Sequence, residues 1–339
     1  MIKKLLQVLD GQSAAVPPVW LMRQAGRYLP EYRATRKQAG GFLDLCFNPE
    51  LAAEVTLQPI RRFDFDAAII FADILLLPHA LGRNLTFTEG EGPRLNPLRG
   101  MKEIESNDAG NRLDQVFESL RRVRKILAPD KALIGFCGAP WTVACYMIDG
   151  QGGGGFPETK VFSTEKREEF LYLLDFLADA SADYLCRQIE AGADAVQIFD
   201  SWAGLATEES FHDFIIAPTR KITALVRKKI PGAKIIGFPR GAGKNYRNYV
   251  KQTGIDAVGL DQDVALEQAV ELQRDIVVQG NLAPEILTEG GGAMRRAVAD
   301  ILERLGGKPF IFNLGHGISK ETPPDHVAEL VRLVRGGSQ

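Results

Sequence analysis

The sequence predicts a (β/α)8 barrel, in which parallel strands alternate with helices around one core. Two observations carry this prediction. Short apolar runs alternate repeatedly with longer amphipathic runs along the 339 residues, and no linker or break in composition divides the chain. Most of the short runs are continuously apolar and rich in β-branched residues, which is typical of strands buried on both faces of a parallel sheet. A doubly wound sheet is the alternative, but it usually has fewer strands and a phosphate-binding turn after the first. We expect a single domain over residues 1–339.

The individual elements follow from local patterns. Strands are expected at 18–22, 66–71, 132–136, 194–199, 234–238, 256–260, 275–279 and 309–313. Asn48-Pro49-Glu50 combines a capping side chain, a proline at the first helical position and an acid in the first turn, so it predicts a helix to about residue 62. Further helices are expected at 111–127, 164–191, 207–229, 244–253, 263–272, 292–305 and 323–335. The stretch 84–110 indicates a long insertion after a strand, with a small hairpin.

Composition excludes several classes of protein. With 45% hydrophobic and 25% charged residues, the chain has enough apolar material for a large core. A formal net charge of −2 argues against a general nucleic-acid binder, which needs a basic surface. No run approaches the roughly 18 apolar residues of a membrane span, and the apolar part of residues 1–10 is too short for a signal peptide. We therefore expect a cytoplasmic protein with no nucleic-acid or membrane partner.

Neither the cysteines nor the glycine-rich loop indicates a cofactor. The cysteines form no CxxC pair, and their spacing suggests no zinc site; they are Cys46, Cys137, Cys145 and Cys186. Their small apolar neighbours are typical of reduced, buried thiols. The loop Gly150–Gly155 lacks the Lys-Ser/Thr ending of a phosphate-binding loop, so we interpret it as a mobile rim or lid.

The segment Met22–Arg33 follows the first predicted strand and concentrates positive charge. Arg23 and Arg27 stand on either side of Gly26, and Arg36 follows in the next predicted helix. Arginine is always protonated, and its planar fork matches a carboxylate or a phosphate. Glycine lets the backbone approach a ligand closely. The segment is either a solvated basic loop or a binding site for a small polyanion, and its position directly after an apolar strand favours the second.

The active site of such a barrel is built from the loops that follow the strands. The polar residues found there are Arg23, Gln24, Arg27, Asp73, Tyr146 one short helix on, Asp200, Ser201, Arg240, Asp261, Asn281, Asn313 and His316. Asp261 and Asn281 are more simply explained as helix caps. His316 lies between two glycines, which suits a ring exposed at a cleft. The other histidines, His79, His212 and His326, lie in patterns that suggest no role.

Asp73 has an unusual environment, because apolar residues flank it closely on both sides from Ile69 to Leu77. A carboxylate in such surroundings is costly unless it has a partner or a function. It either forms a buried salt bridge with an arginine of the first loop or faces the cationic part of a substrate.

Several of these stretches resemble the uroporphyrinogen decarboxylase family, and they occur in family order from end to end of the chain. They are Met22–Arg33, Phe71–Leu75, Gly138–Thr142, Phe199–Ser201 and Asn313–Gly317. The resemblance implies a (β/α)8 barrel, usually a homodimer. It also implies removal of CO₂ from the four acetate side chains of uroporphyrinogen, giving coproporphyrinogen in haem biosynthesis, without a metal or an organic cofactor. Asp73 is the implied catalytic residue; the implied substrate-binding residues are Arg23, Gln24, Ala25, Gly26, Arg27, Arg36, Asp73, Tyr146, Phe199, Ser201 and His316.

That chemistry fits the residue types. The substrate is a polyanion, which accounts for the arginines. A pyrrole protonated at a ring carbon accepts the electrons released with CO₂, whereas most decarboxylases use a cofactor for this. Asp73 would stabilise the resulting cation. An arginine has been considered as the ring proton donor in the family, although its high pKa makes it a poor acid.

Two other functions have to be distinguished. Methyltransferases that share this barrel hold zinc through a histidine and cysteines, but no cysteine neighbours His316. A tetrapyrrole carrier would keep the arginines and would not need Asp73.

Overall fold

The computed structural model describes residues 3–88, 92–104 and 109–337. Within them, seven parallel strands form one curled sheet with helices outside it, and the strands follow one another in chain order. The strands are β1 (Ala67–Ile69), β4 (Ala132–Gly138), β5 (Ala195–Asp200), β6 (Lys234–Pro239), β7 (Ala257–Gly259), β8 (Val277–Leu282) and β9 (Phe310–Leu314). They lie within one to three residues of the predicted positions, and the predicted barrel class is confirmed.

The first predicted strand is the exception, because residues 18–22 form no regular strand. Val19 makes one isolated bridge to Phe312, and the backbone N–H of Phe312 donates to the Pro18 carbonyl at 2.9 Å. On the other side, the N–H of Asp66 donates to the Val19 carbonyl at 2.9 Å. The segment therefore lies between β9 and β1 but does not close the sheet. Pro17 and Pro18 have no N–H to donate, which explains why a ladder does not extend along it.

Side chains replace the missing ladder on the β1 side. The Asp66 carboxylate accepts a hydrogen bond from the N–H of Val19 at 2.9 Å. Gln24 is fully buried; its amide nitrogen donates to the Ala67 carbonyl at 3.0 Å, and its oxygen accepts from the N–H of Leu21 at 3.1 Å. These bonds fix the start of the arginine-rich loop against the first strand of the sheet.

A second set of side chains holds the same segment from inside the barrel. The Trp20 indole donates to Gln279 at 3.0 Å, and Gln279 donates to Gln197 at 3.0 Å. The N–H of Met22 donates to the Asn313 side chain at 3.0 Å. All of these side chains are buried, so the polar interior of the barrel positions the loop that begins at Met22.

The helices form the outer layer. They are α1 (Lys4–Leu9), α2 (Pro30–Ala39), α3 (Phe42–Cys46), α4 (Pro49–Phe63), α5 (Leu76–Ala80), α6 (Asp114–Ile126), α7 (Pro140–Asp149), α8 (Pro157–Glu165), α9 (Arg167–Glu190), α10 (Glu208–Phe211), α11 (Ala217–Lys229), α12 (Tyr246–Thr253), α13 (Leu266–Leu272), α14 (Pro284–Glu289), α15 (Gly291–Leu305) and α16 (Pro324–Val334). As predicted, Asn48 caps α4 by accepting from the N–H of Leu51 at 3.1 Å. The buried residues of α1 pack against β4 and β9, and its neighbour Lys3 pairs with Asp194 at the amino end of β5.

The insertion contains the expected hairpin. β2 (Leu85–Thr88) pairs antiparallel with β3 (Gly92–Leu95). The hairpin rests on the glycine-rich loop, where the N–H of Leu95 donates to the Gly150 carbonyl at 2.8 Å. Arg83 fixes its base by donating to the Asn96 and Pro97 carbonyls. The remainder of the predicted insertion includes residues 105–108, which lie outside the described residues.

Two further expectations concern cysteines and membranes. All four cysteines are buried free thiols, as predicted. Among the helices that the structure describes, none combines the length and the apolar character needed to cross a bilayer.

Candidate active site

Arg23 lies at the turn that follows the barrel's first segment, in a strained conformation. Its φ is 62°, in the left-handed region that residues with a side chain rarely adopt. Such strain persists only where the surroundings impose it, and it is concentrated at functional sites. Gly317 allows the Arg23 side chain to pass, since a β-carbon at Gly317 would come 2.8 Å from Arg23 Cγ. Gly26 permits the tight turn of the backbone, because a β-carbon there would lie 2.9 Å from the Arg23 carbonyl oxygen.

The other arginines of this region divide into a support and two candidate ligand contacts. Arg33 is the support, since its guanidinium donates to the Arg27 carbonyl at 2.8 Å. The Arg27 side chain is exposed, and the half-buried Arg36 lies over the Phe42 ring, 5.4 Å from its centre. Among the described residues, no carboxylate pairs with Arg23, Arg27 or Arg36. The loop therefore presents positive charge that the protein itself does not neutralise.

Asp73 follows β1 at the carboxyl edge of the sheet. One of its oxygens accepts a hydrogen bond from the N–H of Leu75 at 2.8 Å. Burial raises the pKa of Asp73 to about 6, while the Leu75 N–H and the nearby charge of Arg23 act in the opposite direction. Within the described part of the chain, no lysine or arginine forms an ion pair with this carboxylate. The structure thus gives no support to the salt-bridge reading, and Asp73 is largely ionised above pH 6.

His316 follows β9 and is half-buried. Burial, together with the charges of Arg23 and Arg240, lowers the pKa of His316 to about 3. The imidazole is therefore neutral at physiological pH. Neither ring nitrogen is hydrogen-bonded to a described residue, so the ring can offer one N–H donor and one acceptor to a ligand.

Tyr146 and Phe199 bring aromatic surface to the same edge of the sheet. Tyr146, on α7, is half-buried; burial raises the pKa of its phenol, and the charges of Asp73 and Arg23 both act on it. The half-buried Phe199, on β5, packs edge-on against Phe136 with ring centres 5.5 Å apart. The charges of both Asp73 and Arg23 influence the pKa of Tyr146, so these three side chains lie near one another at this edge of the sheet.

The remaining predicted contacts have different environments. Ser201 is half-buried, and its hydroxyl makes no hydrogen bond to any described residue, so it is available to a ligand. Ala25 and Gly26 are half-buried in the arginine loop. The Gln24 side chain is fully buried and already bonded at both ends, as described above, so its geometry is that of a loop support.

Comparison with known proteins gives a consistent answer over the whole chain. Residues 2–337 match the family model described as uroporphyrinogen decarboxylase (URO-D). A uroporphyrinogen decarboxylase from Chelativorans sp. is 56% identical over 337 residues, covering 99% of this chain and 98% of that protein. One from Sinorhizobium fredii is 54% identical over 336 residues, with 98% of each chain covered. The chain belongs to the uroporphyrinogen decarboxylase family.

The fold of this uroporphyrinogen decarboxylase family member also recurs in a methyltransferase from Methanosarcina mazei. That structure matches with a TM-score of 0.83 over 98% of this chain and 97% of its own, at 20% identity. At this identity the likeness concerns the fold alone. Within residues 3–88, 92–104 and 109–337, no three His, Cys, Asp or Glu side chains are grouped in a way that would hold a metal ion.

Sequence reasoning missed a buried group of hydrogen bonds that connects α7 to the loop after β5 in this family member. The Thr142 hydroxyl on α7 donates to Asp200 at 2.5 Å and accepts from the N–H of Trp202 at 3.1 Å. Burial raises the pKa of Asp200 to about 7, and its bonds to Thr142 oppose this rise. The link fixes the loop that carries Ser201. A threonine on a helix gives no local signal for such a role.

Asp261 and Asn281 are structural, as the sequence suggested, although they are not helix caps. Asp261 accepts hydrogen bonds from the N–H of Gly241 at 2.6 Å and from the Tyr246 hydroxyl at 2.9 Å. Asn281 donates to the Asp261 carbonyl at 2.9 Å. The other histidines also lie apart from the site: His79 and His326 bond to backbone groups and His212 bonds to Asp213.

Proposed function

We propose that this protein is a carboxy-lyase that removes CO₂ from the four acetate side chains of uroporphyrinogen, giving coproporphyrinogen in haem biosynthesis. The relatives named for this activity are more than half identical over nearly the whole chain. The observation that carries the proposal is that, among the described residues, the Asp73 carboxylate forms no ion pair and the nearby Arg23 and the loop residue Arg27 have no carboxylate partner.

Substrate binding is assigned to the arginines. Arg23, Arg27 and Arg36 each present a guanidinium that no described carboxylate neutralises, and charge-assisted bonds to carboxylates are the strong ones. Gln24, Ala25 and Gly26 contribute through the loop that they shape, and the exposed backbone of the loop completes the contacts.

Asp73 is the catalytic residue of the proposed mechanism. Protonation of a pyrrole carbon creates a cation, and loss of CO₂ returns an electron pair to the ring and leaves an exocyclic methylene. This methylene takes up a proton and the ring carbon releases its own, so that each acetate becomes a methyl group. A fixed carboxylate near this cation stabilises charge that develops in the transition state. It also accepts hydrogen bonds from pyrrole N–H groups. Since the ring itself accepts the electrons, the proposed reaction calls for neither a metal nor an organic cofactor.

The remaining residues orient the substrate. The Tyr146 and Ser201 hydroxyls and the neutral His316 are donors suited to substrate carboxylates. Phe199 provides apolar surface for a pyrrole ring. We also propose a cytoplasmic location, as the sequence patterns predict, and a homodimer, as the family resemblance implies. Light scattering of the active enzyme should give twice the monomer mass, and an active monomer would contradict the dimer.

Turnover of uroporphyrinogen tests the function directly. The enzyme should convert it to coproporphyrinogen with release of four CO₂, and it should do so after exhaustive chelation and dialysis. A tetrapyrrole carrier would instead bind the compound and return it unchanged. A loss of activity on chelation that zinc restores would favour chemistry of the methyltransferase kind.

A further inference from the structure

Arg240 is the residue that directly follows β6 at the carboxyl edge of the sheet. In the parallel register of β5 and β6, Asp200 lies opposite Pro239. The next residues, Ser201 and Arg240, therefore leave the carboxyl edge of the sheet side by side. This places Arg240 next to a residue whose free hydroxyl was assigned to the substrate.

The backbone at Arg240 is held from both sides. Its N–H donates to the Asp200 carbonyl at 3.0 Å, and its own carbonyl accepts from the N–H of Gly204 at 2.9 Å. Gly204 and Gly241 approach so closely that a β-carbon on Gly204 would lie 2.7 Å from the Gly241 carbonyl oxygen. Such fixation of a loop residue is expected where its side chain has to be positioned in advance of binding.

The guanidinium has no partner among the residues that the structure describes. The Arg240 side chain is half-buried, and among the described residues it makes neither an ion pair nor a hydrogen bond. By contrast, Arg83, Arg124 and Arg187 are partly buried arginines that pair with a carboxylate; they bind Glu103, Asp194 and Asp114. A cation that is partly removed from water without compensation is costly. An anionic ligand would provide the missing partner.

The charge of Arg240 also reaches the cleft. Together with burial and the charge of Arg23, it lowers the pKa of His316. Arg23 and Arg240 are distant in the sequence, on the first segment and after β6, yet the charges of both act on one imidazole. The cationic rim is therefore not confined to the arginine-rich loop.

We propose that Arg240 binds a carboxylate of the substrate on the Ser201 side of the cleft, separately from the carboxylates bound by the loop of Arg23 and Arg27. This inference rests on the proposed function, since only a ligand with several carboxylates can occupy both regions at once. It adds a second anchoring point that holds the macrocycle across the cleft.

The experiment measures the affinity for uroporphyrin, the oxidised and unreactive octacarboxylate, in wild-type protein and in Arg240→Ala, Arg240→Lys and Arg27→Ala. Loss of one charge-assisted bond should weaken binding about tenfold or more. Arg240→Ala should show this loss, and Arg240→Lys should recover part of it by keeping the charge. Arg220→Ala, an exposed arginine on α11, is the matched control and should bind like the wild type.

A second measurement does not depend on the substrate. Removal of a neighbouring positive charge favours the imidazolium, so the pKa of His316 in an NMR titration should rise in Arg240→Ala. Should that variant not fold, Arg240→Met keeps much of the side-chain length and serves for both measurements.

The outcomes separate the two proposals. If Arg240→Ala or Arg240→Met binds uroporphyrin as the wild type does while Arg27→Ala is weakened, the Arg240 site is refuted and the function stands. If wild-type protein neither binds uroporphyrin nor turns over uroporphyrinogen, the function itself fails. Weakened binding in both Arg240→Ala and Arg27→Ala, with Arg220→Ala unchanged, supports the site.

Discussion

The side chain of Arg23 passes directly over the α-carbon of Gly317. A β-carbon at Gly317 would come 2.8 Å from Arg23 Cγ and 2.9 Å from Nε, distances that no relaxed contact allows. Residue 317 follows His316. The absence of a side chain at this glycine therefore allows the loop after β9 to contact the arginine loop closely. The left-handed backbone conformation of Arg23 also contributes to this contact, because it directs the side chain across the loop after β9.

Gly317→Ala should therefore impair binding without removing any polar group. The added methyl has to displace the Arg23 side chain, so the affinity for uroporphyrin should fall about tenfold, as for loss of one charge-assisted bond. Calorimetric titration measures it. Gly292→Ala is the control, since a β-carbon there approaches only the flexible end of Arg296; equal affinities in the two variants would contradict the prediction.

Asp73→Asn tests catalysis. The substitution keeps the size and removes the charge, so kcat should fall by about 10²–10³-fold, with ligand affinity largely kept. A folded variant that binds uroporphyrin and keeps a near-normal kcat would end the catalytic assignment of Asp73.

The same substitution should also raise stability at neutral pH. Burial raises the pKa of Asp73 from 3.8 to about 6, so the folded protein holds this proton more tightly than the unfolded chain does. Stability is then lost as the pH rises between these two values, and the cost is fully present above about pH 6. Asparagine removes that cost. The Tm of Asp73→Asn should exceed the wild-type Tm at pH 8 by more than at pH 4; a lower Tm at pH 8 would indicate a structural carboxylate.

The pH profile should report the ionisation of Asp73. Because the reaction needs the carboxylate, kcat/KM should fall below a pKa of about 6. Arg23 lowers this pKa, so Arg23→Ala should shift the acid limb to higher pH. Arg27→Ala should lower kcat/KM at every pH without moving the limb. Identical limbs in wild-type protein and Arg23→Ala would show that Asp73 is not the group observed.

Thr142 tests the link between α7 and the Ser201 loop. Thr142→Val removes the hydroxyl that donates to Asp200 and accepts from the N–H of Trp202, which should cost roughly 1–3 kcal/mol in the free energy of unfolding. Thr142→Ser keeps the hydroxyl and should recover most of the loss. Denaturant unfolding of both variants measures the difference, and equal destabilisation of the two variants would contradict the role of the hydroxyl.

Arg27→Ala tests the electrostatic part of binding. The affinity should fall about tenfold or more, and the salt dependence of binding should become weaker, because an exposed charge pair is screened by salt. Binding measured from low to physiological ionic strength checks both. Arg220→Ala should keep the wild-type affinity and the wild-type salt dependence.

Much of this molecule could be predicted from local patterns. The buried strands of a parallel sheet are recognisable as apolar runs. Because parallel strands all end at the same edge of the sheet, the residues that follow them reach that edge even where the strand bounds are predicted only approximately. For that reason Asp73 and His316 were recognisable as candidates. The capped start of α4 at Asn48 was predictable for the same reason, since its signals lie within a few residues of each other.

The sequence was misleading where distant groups compete for the backbone. Residues 18–22 have the composition of a strand, yet Pro17 and Pro18 lack donors and the Asp66 carboxylate takes the N–H of Val19. Gln24 stands among arginines that are predicted to bind substrate, and its side-chain amide bonds to the Ala67 carbonyl, a partner from a distant part of the chain. Neither partner can be identified from neighbours in the sequence.

By itself, then, the sequence determined the order of strands and helices and the chemical types gathered at the active edge, because both depend on short-range periodicity. Only the tertiary structure decided which of these groups already have a hydrogen-bond or ion-pair partner within the protein. Among the described residues, Asp73 forms no ion pair, the Gln24 amide is hydrogen-bonded at both ends, and the charges of Arg23 and Arg240 both act on His316. The physical reason is that a charge or a hydrogen-bonding group is free or engaged according to what lies within a few ångströms, and the fold brings those neighbours from distant parts of the chain.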